Sequence, residues 1–176
     1  MRVWMTLALM SLLAVDATAQ PAVLAPYSPT PTDVVERMLR LARVGPKDVV
    51  YDLGCGDGRI VIAAARLFGA RGVGIDIDPA LIGRAQAAAK QADVESLVTF
   101  RVQDAMTVDV SDATVVTLYL LAASNVKLRP ILTRTLRPGA RIVAHNYPIG
   151  DWKPDVVDTF TDSAGSTRTL FLWNIR

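Results

Sequence analysis

Three aspartates, Asp52, Asp76 and Asp104, each stand at or just past the end of a short apolar run, and Gly54, Gly56 and Gly58 follow the first of them. An apolar run, a glycine turn and a second apolar stretch, Ile60 to Phe68, read as buried strand, tight loop and helix. Such a unit brings backbone close to a nucleoside. The charge in the loop decides which nucleoside. A dinucleotide carries a pyrophosphate and asks for G-x-G-x-x-G with no carboxylate nearby. Here Arg59 stands where the third glycine belongs, and Asp57 lies inside the loop, where it would repel a pyrophosphate at short range. No Gly-Lys-Ser/Thr follows, so a P-loop fails as well. S-adenosylmethionine has no phosphate. It carries a sulfonium, an ammonium and a single carboxylate, and its net positive charge suits acidic strand ends.

Each acid then has an expected partner. Asp52, at the end of the first strand, is placed to accept from the ammonium. Gly56 and Gly58 let backbone approach the methionine moiety and the sugar, and N–H groups at the helix start can hold the carboxylate. Asp76 ends the run GVGIDIDP at 72–79, 24 residues after Asp52, a separation that fits one helix and two short connections. An acid there reaches ribose hydroxyls. Asp104 follows the third apolar run, Val98 to Val102, and is placed to accept from the adenine amino group. Gly54, Cys55 and Ile77 complete the expected cofactor-binding set. Cys55 is the only cysteine, so no internal disulfide can form. As a nucleophile it would need a base, and the chain holds one histidine, His145; Cys55 reads as a small loop residue. No cysteine/histidine cluster suits zinc.

The elements that must position these groups alternate. Four prolines fall in residues 20–31, which read as an extended lead-in. Thr30 is a candidate helix cap with Pro31 at the first helical position. Val34, Val35, Met38, Leu39, Leu41 and Ala42 mark a buried helical face that ends at Gly45-Pro46. Strands are expected at 49–53, 72–75, 98–102, 114–120 and 141–145, and helices from 60 to about 69, 79 to about 92 and 126 to 136. The runs 156–161 and 168–175 alternate around Ser163-Ala-Gly-Ser166 and read as a terminal hairpin. The expected class is α/β: a Rossmann-like three-layer sandwich with a seven-stranded, mostly parallel sheet and a C-terminal antiparallel hairpin. The domain would span 32–176, with its ligand outside the carboxyl ends of strands 1 and 4.

At this point the chain resembles the class I S-adenosylmethionine-dependent methyltransferases. Within them it is most similar to the family of lysine N-methyltransferases that modify the c-ring protein of ATP synthase, together with their prokaryotic relatives. The matching pieces are Tyr27-Ser-Pro-Thr-Pro31, YDLGCGDGRIVIAAA at 51–65, VTLYLL at 116–121 and LRPGARIVAHNYPIGDW at 136–152. The resemblance implies methyl transfer from S-adenosylmethionine to a protein lysine, with Tyr27 and Thr30 helping to close over the cofactor. Other acceptors remain open, a small molecule or an envelope component among them. So does a non-catalytic nucleoside-binding module of the same fold. Aminopropyl transfer would call for more acids near strand 4 than are present.

Acceptor chemistry belongs beyond strand 4, in Leu118-Tyr-Leu-Leu-Ala-Ala-Ser-Asn125. Methyl transfer needs an amine lone pair aligned opposite the sulfonium, and a lysine must first lose its proton from an ordinary pKa of about 10.4. Tyr119 either orients that amine through its hydroxyl or is a strand-end core aromatic. His145 is a candidate general base or a hydrogen-bonded structural residue. Asn125 reads as a helix cap and Trp152 as packing for the last loop. The N/D-P-P-Y signature of many base and glutamine amino-methyltransferases is absent. No insertion between strand 5 and the hairpin is long enough to make a lid, so an open site for a side chain on a larger molecule is expected.

With 176 residues, half of them hydrophobic, one domain with a sizeable core is expected. The net charge is +2 and no basic block marks a specific nucleic-acid partner. Arg129, Arg134, Arg137 and Arg141 read as a solvated face or a surface for an acidic partner. Arg2, the apolar run Val3 to Val15 and Ala17-Thr-Ala19 have the layout of a secretory signal. That run is short for a membrane span. Residues 1–19 therefore point to export or the cell envelope, with a membrane anchor or a misassigned start as alternatives.

Overall fold

The computed structural model describes residues 24–176. Val49–Leu53 (β1) is buried at all five positions, as a strand covered on both faces must be. β1 therefore sits at the centre of the sheet. Arg59–Phe68 (α2) follows it, then Arg71–Asp76 (β2), Pro79–Gln91 (α3) and Val98–Val102 (β3). Val115–Leu118 (β4), Ala122–Thr135 (α4) and Arg141–His145 (β5) complete the parallel part, and Val156–Thr161 (β6) and Thr167–Asn174 (β7) form the closing hairpin. Ahead of them all stands Thr32–Leu41 (α1). The sheet order is β3-β2-β1-β4-β5-β7-β6, parallel except where β7 meets β5 and β6. The order reverses between β1 and β4, which opens a crevice at their carboxyl ends.

The two faces of the sheet are covered differently. Val50, Val115, Val143, Leu170 and Leu172 pack under α1 and α2, while α3 joins α2 through Ala85, Val61 and Phe100. On the opposite face Tyr51, Leu53, Val116, Leu118 and Ile142 lie under α4 and the 105–113 connection. Three layers result, as expected. Asp78 caps α3 by accepting from the Ala80 N–H, with Pro79 at the first helical position.

Several expectations are corrected. Thr30 does not cap α1: Pro31 holds the cap position without a side-chain bond, and Thr30 is buried with its carbonyl accepting from Arg59. β4 ends at Leu118, not Leu120, and α4 begins at Ala122, four residues before the expected start. Asn125 therefore lies inside the helix, whose cap is Leu121. The arginine face also divides. Arg129 pairs with Asp151 and lies over Trp152, and Arg141 pairs with Asp48 at the amino-terminal pole of the sheet. Residues 1–19, with the signal or anchor expectation, lie outside the described residues. No helix among the described residues is long and apolar enough to cross a membrane.

Candidate active site

Parallel register sets the site. Asp52 stands opposite Gly74 on one side and Thr117 on the other, so the acids and the glycine loop emerge at one edge of the sheet. A cavity of about 230 Å³ lies there. Its wall includes Asp52, Gly54, Cys55, Gly56, Asp76 and Ile77 from the expected set, with Tyr27 and Thr30 from the lead-in and Tyr119 beyond β4.

The loop turns its N–H groups inward. Gly54 and Cys55 both donate to the Ile75 carbonyl, Gly58 donates to Cys55, and Gly56 donates to Asp76 Oδ2 at 2.8 Å. A loop that spends these donors on the protein is not a phosphate cradle, which agrees with the sequence argument against a dinucleotide. Gly56 takes φ +54, and a Cβ there would stand 2.8 Å from the Tyr27 ring, so the bare backbone lets Tyr27 lie across the loop. Gly58 is different. Its φ is +76, but an added Cβ would meet Phe100 at 2.6 Å and Ala85 at 2.8 Å, and it does not line the cavity. Its role is close packing of α2 on β3 and α3.

Asp76 is fixed from both oxygens, Oδ2 by Gly56 N–H and Oδ1 by Asp78 N–H at 3.0 Å. A carboxylate has about four acceptor sites, so half remain for a ligand. Asp52 is 2% exposed and accepts from the Thr117 hydroxyl at 2.7 Å. Burial pushes its pKa up to about 7; the Thr117 bond opposes that shift and the Asp76 and Asp57 charges add to it. Asp57 forks onto Arg59 at 2.6 to 3.2 Å. Partial burial opposes its ionisation, but Arg59 outweighs that and holds the Asp57 carboxyl below its ordinary value. Counted with Asp78, four carboxylates line the cavity against one guanidinium that is already paired. The unneutralised remainder fits a cationic ligand.

Asp104 lies one residue behind the wall. Ala105 lines the cavity, and Asp104 Oδ1 accepts from the Met106 N–H at 2.8 Å to close a turn. Cys55 is buried against Gly74, and burial pushes its thiol far up, which leaves it inert.

The lead-in forms the lid that no insertion supplies. The Ser124 hydroxyl donates to the Leu24 carbonyl and Arg59 Nη1 donates to the Thr30 carbonyl at 2.9 Å, so the segment between is tied at both ends across the cavity. Ser124 and Asn125 were unreadable as tertiary anchors from sequence, because their partners lie 100 and 22 residues away.

His145 does not line the cavity. It is fully buried, its ring centroid is 4.0 Å from that of Tyr119, and neither ring nitrogen has a hydrogen-bond partner among the described residues. Burial, and then the Arg168 charge, lower its pKa to about 4, against a smaller opposing effect of Asp162. A neutral imidazole behind an aromatic wall has no path to an acceptor proton; it is a packing residue, without the hydrogen bonds a structural role suggested. Trp152 packs, as expected: its ring tilts against Trp173 and its carbonyl accepts from Trp173 Nε1.

A glycine loop that rejects phosphate, acids at the ends of β1 and β2, and a reversed sheet closed by an antiparallel hairpin define the S-adenosylmethionine-dependent methyltransferase class. Known proteins bear this out. The family model described as the ANTKMT methyltransferase domain matches residues 52–156. A protein-lysine N-methyltransferase of Saccharolobus islandicus is 42% identical over 85% of this chain and 93% of its own length. The adenine nucleotide translocase lysine N-methyltransferase of Mus musculus is 33% identical over 75% of this chain and 57% of its length. A crystal structure described as an RNA methyltransferase from Salinibacter ruber, in complex with S-adenosylhomocysteine, shares 54% identity and a TM-score of 0.79 over 84% of this chain and 94% of that one. The chain belongs to the ANTKMT methyltransferase family, and its cofactor is S-adenosylmethionine.

Proposed function

We propose that this chain methylates the side-chain amine of a protein lysine. The observation that carries the reading is the division of the cavity rim. Carboxylates crowd the β1–β2 side, and an aromatic residue, Tyr119, stands at the end of β4. The cofactor supplies an electrophilic methyl group on a cationic sulfur. Asp76 is positioned to accept from ribose hydroxyls and Asp52 from the ammonium. Tyr27 and the tied lead-in exclude water above the loop. Tyr119 borders the place where an amine must present its lone pair. The lysine relatives support the choice of acceptor.

A second reading follows from the Salinibacter protein, whose description names RNA. An RNA acceptor calls for a cationic path to the site. Among the described residues the charged lining of this cavity is four acids and Arg59, and Arg59 is engaged by Asp57. That pattern favours a cationic acceptor such as lysine.

The test supplies methyl-labelled cofactor with protein and RNA fractions in parallel, followed by acid hydrolysis of the protein. Label in methyl-lysine is the expected result, and label confined to RNA overturns the lysine reading. Asp76→Ala should abolish S-adenosylhomocysteine binding by calorimetry; unchanged affinity would refute the ribose assignment.

A further inference from the structure

Just past β5 the backbone does something unusual. Asn146 takes φ +61, and the Tyr147 N–H donates to the His145 carbonyl at 2.8 Å. A three-residue turn of that hand is the rare and strained one. Three further bonds hold it. Asn146 N–H donates to the Thr169 carbonyl at 2.7 Å, Thr169 N–H donates to Asn146 Oδ1 at 3.1 Å, and Asn125 Nδ2 donates to the Tyr147 carbonyl at 2.9 Å. Asn125 is fully buried. Strain that is over-determined in this way marks a side chain whose position matters. The side chain presented is Tyr147, 38% exposed, its ring nearly parallel to that of Tyr119 with centroids 6.5 Å apart and planes at 19°. Tyr119 lines the cavity and rests on the buried His145 ring. Three neighbouring rings, His145, Tyr119 and Tyr147, therefore run from the core to the surface at the ends of β4 and β5. The acids at the ends of β1 and β2 stand on the other side; β2 and β5 are three strand spacings apart, about 14 Å.

We propose that Tyr147 and Tyr119 form the acceptor-binding wall for the cationic amine, and that Tyr147 lets the enzyme carry an acceptor past its first methyl. This rests on the lysine reading above. Each round forms an N–C bond with the amine lone pair and breaks an S–C bond whose electron pair stays on sulfur. In each of the three rounds the nitrogen gives up one proton to solvent water, which frees the lone pair that attacks. With every methyl added, the ammonium loses an N–H donor and gains apolar surface. Carboxylates then hold it less well. Aromatic faces still attract it, with cation–π energies that translate to about twofold to thirtyfold in occupancy.

The experiment incubates full-length wild type and Tyr147→Phe, Tyr147→Leu and Tyr147→Gln with methyl-labelled cofactor and bulk bacterial protein. Acid hydrolysates are then resolved into mono-, di- and trimethyl-lysine, and S-adenosylhomocysteine affinity is measured for each variant. Wild type and Tyr147→Phe should give di- and trimethyl-lysine. Leu and Gln should lower those two by about twofold to thirtyfold relative to monomethyl-lysine, with cofactor affinity unchanged; either variant that still binds cofactor suffices. A wild type that stops at monomethyl-lysine overturns the proposal. So does an unchanged distribution in Leu and Gln, or a Phe variant that behaves like Leu. Wild type that binds S-adenosylhomocysteine yet forms no methyl-lysine overturns the lysine reading itself, and this proposal with it.

Discussion

Asp52 is a buried carboxyl held up to about 7 by desolvation, and it accepts a hydrogen bond from the Thr117 hydroxyl. The other acids facing it are Asp76, tied to the loop backbone, and Asp57, neutralised by Arg59. Its folded-state pKa lies above the ordinary 3.8, so its neutral form stabilises the ligand-free fold at acid pH. That contribution is lost as pH rises from about 4 through about 7. A ligand ammonium prefers the ionised carboxylate and reverses the balance. S-adenosylhomocysteine should therefore bind roughly tenfold more tightly at pH 8 than at pH 6, following the ionised fraction of a group titrating near 7. Calorimetry in buffers of different ionisation enthalpy should show proton release on binding below pH 7. Asp52→Asn should bind more weakly and lose the pH step; a variant that keeps the step would assign it to another group.

At the scale of elements, what was legible in the sequence was local. β1, β3, β5 and β6 fall where their apolar runs or alternation placed them, because strand identity there follows from side chains within the strand. Asp52, Asp76 and the glycine loop are legible for the same reason: their spacing fixes which strand end each occupies. The start of α4 was not. Asn125 read as a helix cap and Ser124 as part of the acceptor segment, yet both are buried, the Ser124 hydroxyl donating to Leu24 in the lead-in and Asn125 Nδ2 to Tyr147 beyond β5. Tyr147 was missed likewise, since the turn that aims it depends on Thr169 of the neighbouring strand β7. Gly58 shows a local signal with a non-local cause. It belongs to a ligand-loop pattern, but Phe100 and Ala85 occupy the space its Cβ would need. Gly58→Ala should therefore act first on the fold, through the left-handed φ and overpacking, by about 2 to 4 kcal/mol. Urea denaturation without ligand measures it. Full stability with lost cofactor binding would return Gly58 to the ligand side.

Across the whole molecule the sheet has two poles with different work. The carboxyl pole carries acids, lid and aromatic stack. At the amino pole Asp48 accepts from the Thr114 hydroxyl at 2.6 Å, and that hydroxyl accepts from the Val49 N–H. Arg141 pairs with Asp48 and donates to the Ala42 carbonyl at 2.7 Å. One ion pair thus fastens the starts of β1, β4 and β5 to the end of α1. Its side chains are only 19% and 14% exposed, so removing one partner strands the other in a poorly solvated place. Arg141→Met should cost about 3 kcal/mol of stability. The cofactor cavity lies a full strand length away, and sites this far apart act nearly independently. The variant should therefore bind S-adenosylhomocysteine with wild-type affinity at temperatures where it is folded, and Asp76→Ala should show the opposite pattern. Thermal unfolding and calorimetry on both variants form a double dissociation. If Arg141→Met lowers cofactor affinity in the folded protein as much as it lowers the unfolding temperature, the poles are coupled through β1 and the division fails.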